Sequence, residues 1–341
     1  VTGRANVAGV RVMVDGIDIT PKLEERVGTA RRRRLISLGI TEKRGEEADQ
    51  LDIVIDDSDG GMALPKAGKR ISVAIGWLQG IGVATGLVEK GSFVVEDVEH
   101  SGPPDQVTIR ARAADFTSEI RTRRDASWHD TTLGQVVADI AVRNKLEPRC
   151  APALAGIRVA ALAQSRQADI AFLRRLGRAH DALASVKDGK LILSPVGALT
   201  TTTGRELPAA TIRRRDGDRH AFRIQKPEEA TKVEATYHDR RAGKPQVVEH
   251  GTGGKTKRVS RTYATKEAAE RAAKAEHGRA ARKPYSLDLN LALGDAALYP
   301  DQRVAASGFK PEIDGTKWLV SEVSHTIGDR GFVTAVKLEA A

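Results

Sequence analysis

Three His-Asp dipeptides lie along the chain, at His129-Asp130, His180-Asp181 and His238-Asp239. An imidazole beside a carboxylate can serve general base catalysis or metal binding. A shared metal would require the three to converge, and their spacing does not show convergence. Neither an H-E-x-x-H helix nor a G-x-S-x-G nucleophile elbow accompanies them. The acidic run Asp56-Asp57-Ser58-Asp59-Gly60-Gly61 has some likeness to a calcium loop. It lacks the closing Glu of an EF-hand, and Asp and Gly favour a strand-ending turn in any case. Gly80-x-Gly82-x-x-x-Gly86 misses the dinucleotide spacing by one residue and lies between strands, so it reads as a glycine hairpin. The single cysteine, Cys150, excludes an intrachain disulfide and a cysteine-based zinc site. Carboxylates are plentiful, but no pair stands out for glycoside cleavage. No catalytic, cofactor-binding or metal-binding residue is assigned, and neither catalysis nor a cofactor is expected.

The elements that would hold such groups come in two copies. Phe93-Val-Val-Glu-Asp-Val-Glu-His100 is followed by a polar turn and Val107-Thr-Ile-Arg-Ala-Arg-Ala113. Trp318-Leu-Val-Ser-Glu-Val-Ser-His325 is followed by a polar turn and Val333-Thr-Ala-Val-Lys-Leu-Glu-Ala340. An aromatic opens each unit and a His follows seven residues later. Aligning Val107 with Val333 makes the two turns differ by one residue. Upstream, Leu64-Pro65 and Ile71-Ser-Val73 have a looser echo in Leu298-Tyr-Pro300 and Arg303-Val304. Internal repeats set architecture, so two related β-units are expected. His100 and His325 read as hydrogen-bonded strand-end histidines. Three such chains would present six similar units, one way for a threefold object to meet a sixfold one.

Local patterning agrees. Val10-x-Val12-x-Val14, Leu51-x-Ile53-x-Ile55 and Ile71-x-Val73-x-Ile75 alternate and end in Gly and Asp turns, as barrel or sandwich strands do. The period then changes. Leu133, Val136, Val137, Ile140 and Ala141 share one helical face, with Thr131 or Thr132 placed to cap it. A second helix is predicted over 168–180 through Ile170, Leu173 and Leu176, followed by a hairpin turning at Asp188-Gly189. The fold class is mainly β with an α+β insert. Two related β-barrels, 1–115 and 205–341, flank an α/β module over 116–204. A long loop or extended hairpin over 240–262 and a helix over 265–283 are inserted in the second barrel. The alanines of that helix suit either a surface position or close packing on another subunit.

The 341 residues suffice for about two domains. Aromatics are only 4%, so cores must rest on aliphatic residues, and thin cores suggest completion by assembly. No apolar run approaches the ~20 residues of a membrane span, and 1–20 read as strand rather than signal peptide. Synthesis in the cytoplasm is expected. The net charge of +10 permits nucleic-acid contact. Its basic runs are Arg31–Arg34, Arg213–Arg215, Arg240-Arg241 and Lys255-x-Lys257-Arg258, dispersed and poor in aromatics. They read either as solvated or subunit-contacting faces or as nucleic-acid contacts.

Gln164-Ser165-x-x-x-Asp169-x-x-Phe172-Leu173-x-x-Leu176-Gly177 resembles the signature of phage late control gene D proteins, baseplate hubs of contractile tails. Trp128-x-x-x-Thr132-Leu133-Gly134-x-Val136 resembles that family's entry into its α/β module. Asp314-Gly315-x-x-Trp318-x-Val320-x-x-Val323-x-His325 with Gly331-Phe332-x-Thr334 resembles its closing barrel. The resemblance implies a virion protein: a homotrimeric, pseudo-sixfold hub that adapts the sixfold tail tube to the threefold central spike. It implies the tail tube protein and the spike as partners, with the tape measure and baseplate wedge proteins as further candidates. It implies no membrane insertion, and nucleic acid only in passage through the channel. The competing readings are a cell-wall-degrading tail enzyme and a nucleic-acid-binding virion protein.

Overall fold

The computed structural model describes residues 5–27, 32–44, 48–113, 119–187, 189–198, 208–224, 232–239, 242–282, 285–329 and 331–341. Arg31, Asp188, Arg240 and Arg241 lie outside the described residues.

The first β-unit contains β1 (Val7–Val14), β2 (Ile17–Asp18), α1 (Thr20–Glu24), β3 (Arg26–Val27), β4 (Arg32–Arg33), β5 (Leu35–Lys43), β6 (Gln50–Asp56), β7 (Arg70–Gln79), β8 (Gly86–Ser101) and β9 (Gln106–Ala113). Its main sheet runs β5-β6-β9-β8-β7-β1, antiparallel throughout. The two-residue period turns one face of every strand inward. Val12, Ile40, Ile53, Ile71, Val95 and Ile109, one from each strand, all belong to a single buried core. A core fed by all six strands requires the sheet to curl around it.

The middle unit is β10 (Arg123–Thr132), α2 (Leu133–Arg143), β11 (Glu147–Cys150), α3 (Pro152–Ala155), β12 (Arg158–Ala168), α4 (Asp169–Ala179), β13 (Ala182–Lys187) and β14 (Lys190–Pro195). Thr132 caps α2, its hydroxyl accepting from the Gln135 N–H at 3.2 Å. The apolar faces of α2 and α4 converge on one core with β13 and β14. Gly177 allows α4 to approach β13, since a Cβ there would stand 2.6 Å from the Ala182 carbonyl oxygen. Leu173 is fully buried in this core. Leu173→Ala is therefore expected to lose about 2–5 kcal/mol in urea unfolding; a loss under ~0.5 kcal/mol would contradict the packing.

The second β-unit holds β15 (Ala210–Arg213), β16 (Gly217–Ile224), β17 (Lys232–Asp239), β18 (Lys244–His250), β19 (Thr256–Tyr263), α5 (Lys266–Arg282), β20 (Tyr285–Leu291), β21 (Arg303–Ser307), α6 (Pro311–Asp314), β22 (Lys317–Gly328) and β23 (Gly331–Ala340). Its main order, β16-β20-β23-β22-β21-β15, repeats that of the first unit. One pairing differs: β15 runs parallel to β21, whereas β1 runs antiparallel to β7.

The stretch over 240–262, expected as a long loop or extended hairpin, is mostly strand in its described residues. β18 pairs antiparallel with β17, and β19 lies parallel to β17 on its other edge. The alanine face of α5, including Ala269 and Ala273, is buried against this small sheet. Ala269, Ala272, Ala273 and Ala275 are buried within the chain. Charged side chains obscured the strand pattern. Lys257 and Arg258 on β19 bond Glu276 at 2.9 Å and Glu234 at 2.8 Å, satisfying their charges inside the chain.

The duplication extends to backbone detail. Phe93 lies opposite Ala113, Val95 opposite Ala111 and His100 opposite Val107, with a bulge between Val95 and Asp97. Trp318 lies opposite Ala340, Val320 opposite Leu338 and His325 opposite Thr334, with a bulge between Val320 and Glu322. Gly68 N–H donates to Val95 O, and Asp301 N–H donates to Val320 O, both at 2.8 Å. Both donors have left-handed φ, +89° at Gly68 and +69° at Asp301. The return strand corrects the sequence alignment. Val107 corresponds to Thr334, not Val333, and the turns differ by two residues rather than one. Matching Val-Thr to Val-Thr would have set buried Ile109 on exposed Ala335. A one-residue slip turns every side chain to the other face, which a buried core forbids.

The two related β-units are joined edge to edge. The C-terminal half of β22 pairs with β5, from Glu322 opposite Lys43 to Gly328 opposite Ser37, and fuses them into one 13-stranded sheet.

Candidate functional site

The β22–β5 seam is where the two copies meet, and it buries charge. The inward alternation Leu38, Ile40, Glu42 on β5 carries a carboxylate to a core-facing position. Lys90 Nζ on β8 bonds Glu42 Oε2 at 2.7 Å and Leu298 O at 3.1 Å. The side chains of Lys90 and Glu42 are 4% and 7% exposed. His325 on β22 is buried, with Nδ1 at 3.0 Å from Thr334 Oγ1 and Nε2 at 3.5 Å from Glu42 Oε2. Burial pushes the Glu42 carboxyl up, but His325 and the Lys90 ammonium outweigh it and bring it down to about 2. Burial pushes the His325 imidazole below its usual 6.5, assisted by Lys90 and opposed by Glu42. The Lys90–Glu42 ion pair joins β8 to β5 within the first copy and meets the second through His325 and the Leu298 carbonyl. Trp77 reinforces the joint, its Nε1–H donating to Gly294 O at 2.8 Å and its ring 5.4 Å from that of Phe332.

The repeated histidines thus share a register but not an environment. His325 lies inside the seam, in the interior of β22, while His100 is exposed and has Nε2 at 3.5 Å from Asp57 Oδ2. Sequence reasoning missed Glu42 and Lys90. The period-two pattern of β5 contained a signal for Glu42, an acid at an inward position.

The acidic turn after β6 does bind a cation, and that cation is Arg34. The buried guanidinium donates to both carboxylate oxygens of Asp59, at 2.8 and 2.6 Å, and to Asp56 O at 3.2 Å. Asp57 Oδ1 lies 4.0 Å from it and accepts from Met62 N–H at 2.8 Å. Hydrogen bonds from Arg34 hold the Asp59 carboxyl far below its usual value. Arg34, expected as part of a solvated or contacting basic run, is only 5% exposed.

The Gln164-to-Asp169 signature is also a buried polar cluster. Asp169 is fully buried and accepts from Arg143 Nε at 2.9 Å, Asn144 Nδ2 at 2.8 Å and Gln164 Nε2 at 2.7 Å. Arg143 also donates to Gln164 Oε1 at 2.9 Å and lies over the Trp128 ring at 5.6 Å. This network joins the end of α2 to the start of α4 around a fully buried carboxylate.

A cleft of 1060 Å³ opens between β10, β12, α4 and the start of α5, lined by His129, Asp130, His180, Glu267 and Arg271 among others. It brings His129 and Asp130 together with His180; Asp181 and His238, the latter exposed on β17, are not among its lining residues. Burial, with Arg271 adding, brings His180 down to about 4, so it is neutral near pH 7. Hydrogen bonds from its own backbone N–H and from Thr265 hold Glu267 below its usual value, opposite to what a general acid needs. Among the described residues no three His, Cys, Asp or Glu side chains form a metal-holding group. No helix among them is long and apolar enough to cross a membrane. The described residues instead present a duplicated sheet, a joint with buried charge and open strand edges.

No family profile matches the chain. It is 38% identical to a probable baseplate hub protein of Escherichia phage P2, over 96% of this chain and 92% of that protein. It is also 38% identical to a probable baseplate hub protein of Escherichia phage 186, over 90% of this chain and 88% of that one. Its fold is similar to that of a tail protein from Neisseria meningitidis MC58, with TM-score 0.68 and 14% identity over 98% of this chain and 96% of the other.

Proposed function

The chain belongs to the family of phage baseplate hub proteins, and on that footing we propose that it assembles as a homotrimer whose six β-units ring the tail channel of a contractile tail. One side of the ring seats the sixfold tail tube and the other carries the threefold spike. The observation that carries this reading is the matched register of the two copies, bulge for bulge, in a single chain. Two units with the same strand order can present near-equivalent surfaces to a sixfold partner when three chains close a ring.

In this reading 1–115 and 205–341 are the ring units and 116–204 is the module between them. The tape measure and baseplate wedge proteins are further neighbours, and DNA meets the protein only in passage. The protein is made in the host cytoplasm and built into the virion, with a structural role and no catalytic residue or cofactor. Imaging of the assembled particle tests the reading. Three copies coaxial with the tail are expected; six copies, or a position on the outer sheath, would overturn it.

A further inference from the structure

Two unpaired strand edges border the cleft beside α4. Among the described residues, β12 pairs only with β10, and β19 pairs only with β17. The 1060 Å³ cleft is lined by every residue over 157–163, along β12, and over 261–265, the end of β19 and the turn after it. Consecutive residues of a strand point to opposite faces, so a run without gaps marks a cleft that meets the strand at its edge. Arg175 on α4 donates to the Ala163 carbonyl at 3.0 Å. That carbonyl turns away from β10, and by antiparallel alternation the Ala161 N–H and C=O do as well. Among the described residues no third strand takes these groups.

The cleft also concentrates positive charge. It continues into a second cavity of 580 Å³, the two sharing Arg175, Arg261 and Tyr263. Seven arginines line the pair against three carboxylates. Burial lowers the Arg175 guanidinium below its ordinary value, and Arg261 adds to the effect. The Nε of half-buried Arg271 is buried without a hydrogen-bond partner among the described residues. Cations crowded on partly apolar walls are relieved by an anion.

We propose that this cleft takes an extended acidic segment of another protein, which adds as a strand to the β12 edge while its carboxylates meet Arg158, Arg261 and Arg271. The site belongs to the middle module and its contact with β19 and α5, and it stands whether or not three chains close a ring. Arg175 already holds the Ala163 carbonyl, so pairing runs along 158–162, about 17 Å of extended chain. Main-chain hydrogen bonds supply affinity in such an addition, and Ile157, Val159 and Leu176 offer apolar surface to alternate side chains. Opposed charge steers the approach. A nucleic acid fits less well. It has no row of amides to match a strand edge, and among the described lining residues Tyr263 is the one Phe, Tyr or Trp, little for bases to stack on.

Fluorescence anisotropy on the full chain tests the site, with a labelled octapeptide alternating valine and glutamate as the probe. Saturable binding is expected. Arg158→Glu on β12 and Arg261→Glu on β19, both at exposed positions, should each weaken it about tenfold or more. Arg219→Glu, the same charge change on exposed β16 surface, should leave it unchanged. The same peptide methylated at every backbone nitrogen keeps its charge but cannot donate to an edge, and should bind about tenfold more weakly or worse. That comparison needs no variant, so it holds even if a substitution disturbs folding. Absence of saturable binding, equal binding of the methylated peptide, or an equal loss in Arg219→Glu overturns the proposal. So does oligothymidylate that binds more tightly than the peptide and depends on Arg261, which would make the cleft a nucleic-acid site.

Discussion

Asp169→Ala is expected to lose about 3–5 kcal/mol of folding stability, because it leaves two buried amides and the half-buried Arg143 without their acceptor. Asp169 is fully buried, and Arg143, Asn144 and Gln164 all donate to it. Adding Arg143→Ala should recover part of the loss, since the pair would then be absent together; a coupling of about 0.5–3 kcal/mol is expected in a double-mutant cycle. Chemical denaturation of the three variants measures it. A loss under ~1 kcal/mol for Asp169→Ala would show that the cluster does not hold α2 to α4.

Glu42→Ala should fall in the same range, about 3–5 kcal/mol, for the same reason. It strands Lys90, whose side chain is 4% exposed, with only the Leu298 carbonyl for company. The seam should also be acid-sensitive. The folded Glu42 carboxyl resists protonation down to about 2 against an ordinary value of 4.5. The unfolded chain binds that proton first, so the contribution is present above about 4.5 and is lost as pH falls towards 2. His325 acts in the same direction from higher pH. Burial holds its imidazole below 6.5, so the unfolded chain protonates first there too, and stability declines as pH falls below 6.5. Denaturation midpoints across pH 7 to 2 should fall for the native chain, with the part below about 4.5 flattened in Glu42→Gln. An unchanged profile in Glu42→Gln would remove Glu42 from the seam's energetics.

Much of the fold was legible because strand and helix periods are local. Val10-x-Val12-x-Val14 and the face Leu133 to Ala141 announce their elements without knowledge of any neighbour. β19 was not legible, since its outward lysine and arginine are balanced by acids on β17 and α5, distant in sequence. The acidic run Asp56–Gly61 was legible as a strand-ending turn, but not that Arg34 is held in it, for the same reason. The Gln164–Asp169 pattern pointed to the family while its physical content, a closed hydrogen-bond network, needed Arg143 and Asn144 from the preceding helix.

The sequence by itself determined that this protein is built from two copies of one β-unit around a small α/β module, because alternation, turn residues and an aromatic-to-His spacing recur at both ends of the chain. Only the tertiary structure decided the register of the return strands, the fusion of the copies through β22 and β5, and the burial of Glu42, Lys90 and His325 at that joint. The reason is physical. Residue identity across a turn carries no information about which face is inward, whereas a packed core permits only one. A buried charge is likewise defined by a partner that the chain brings near only when folded.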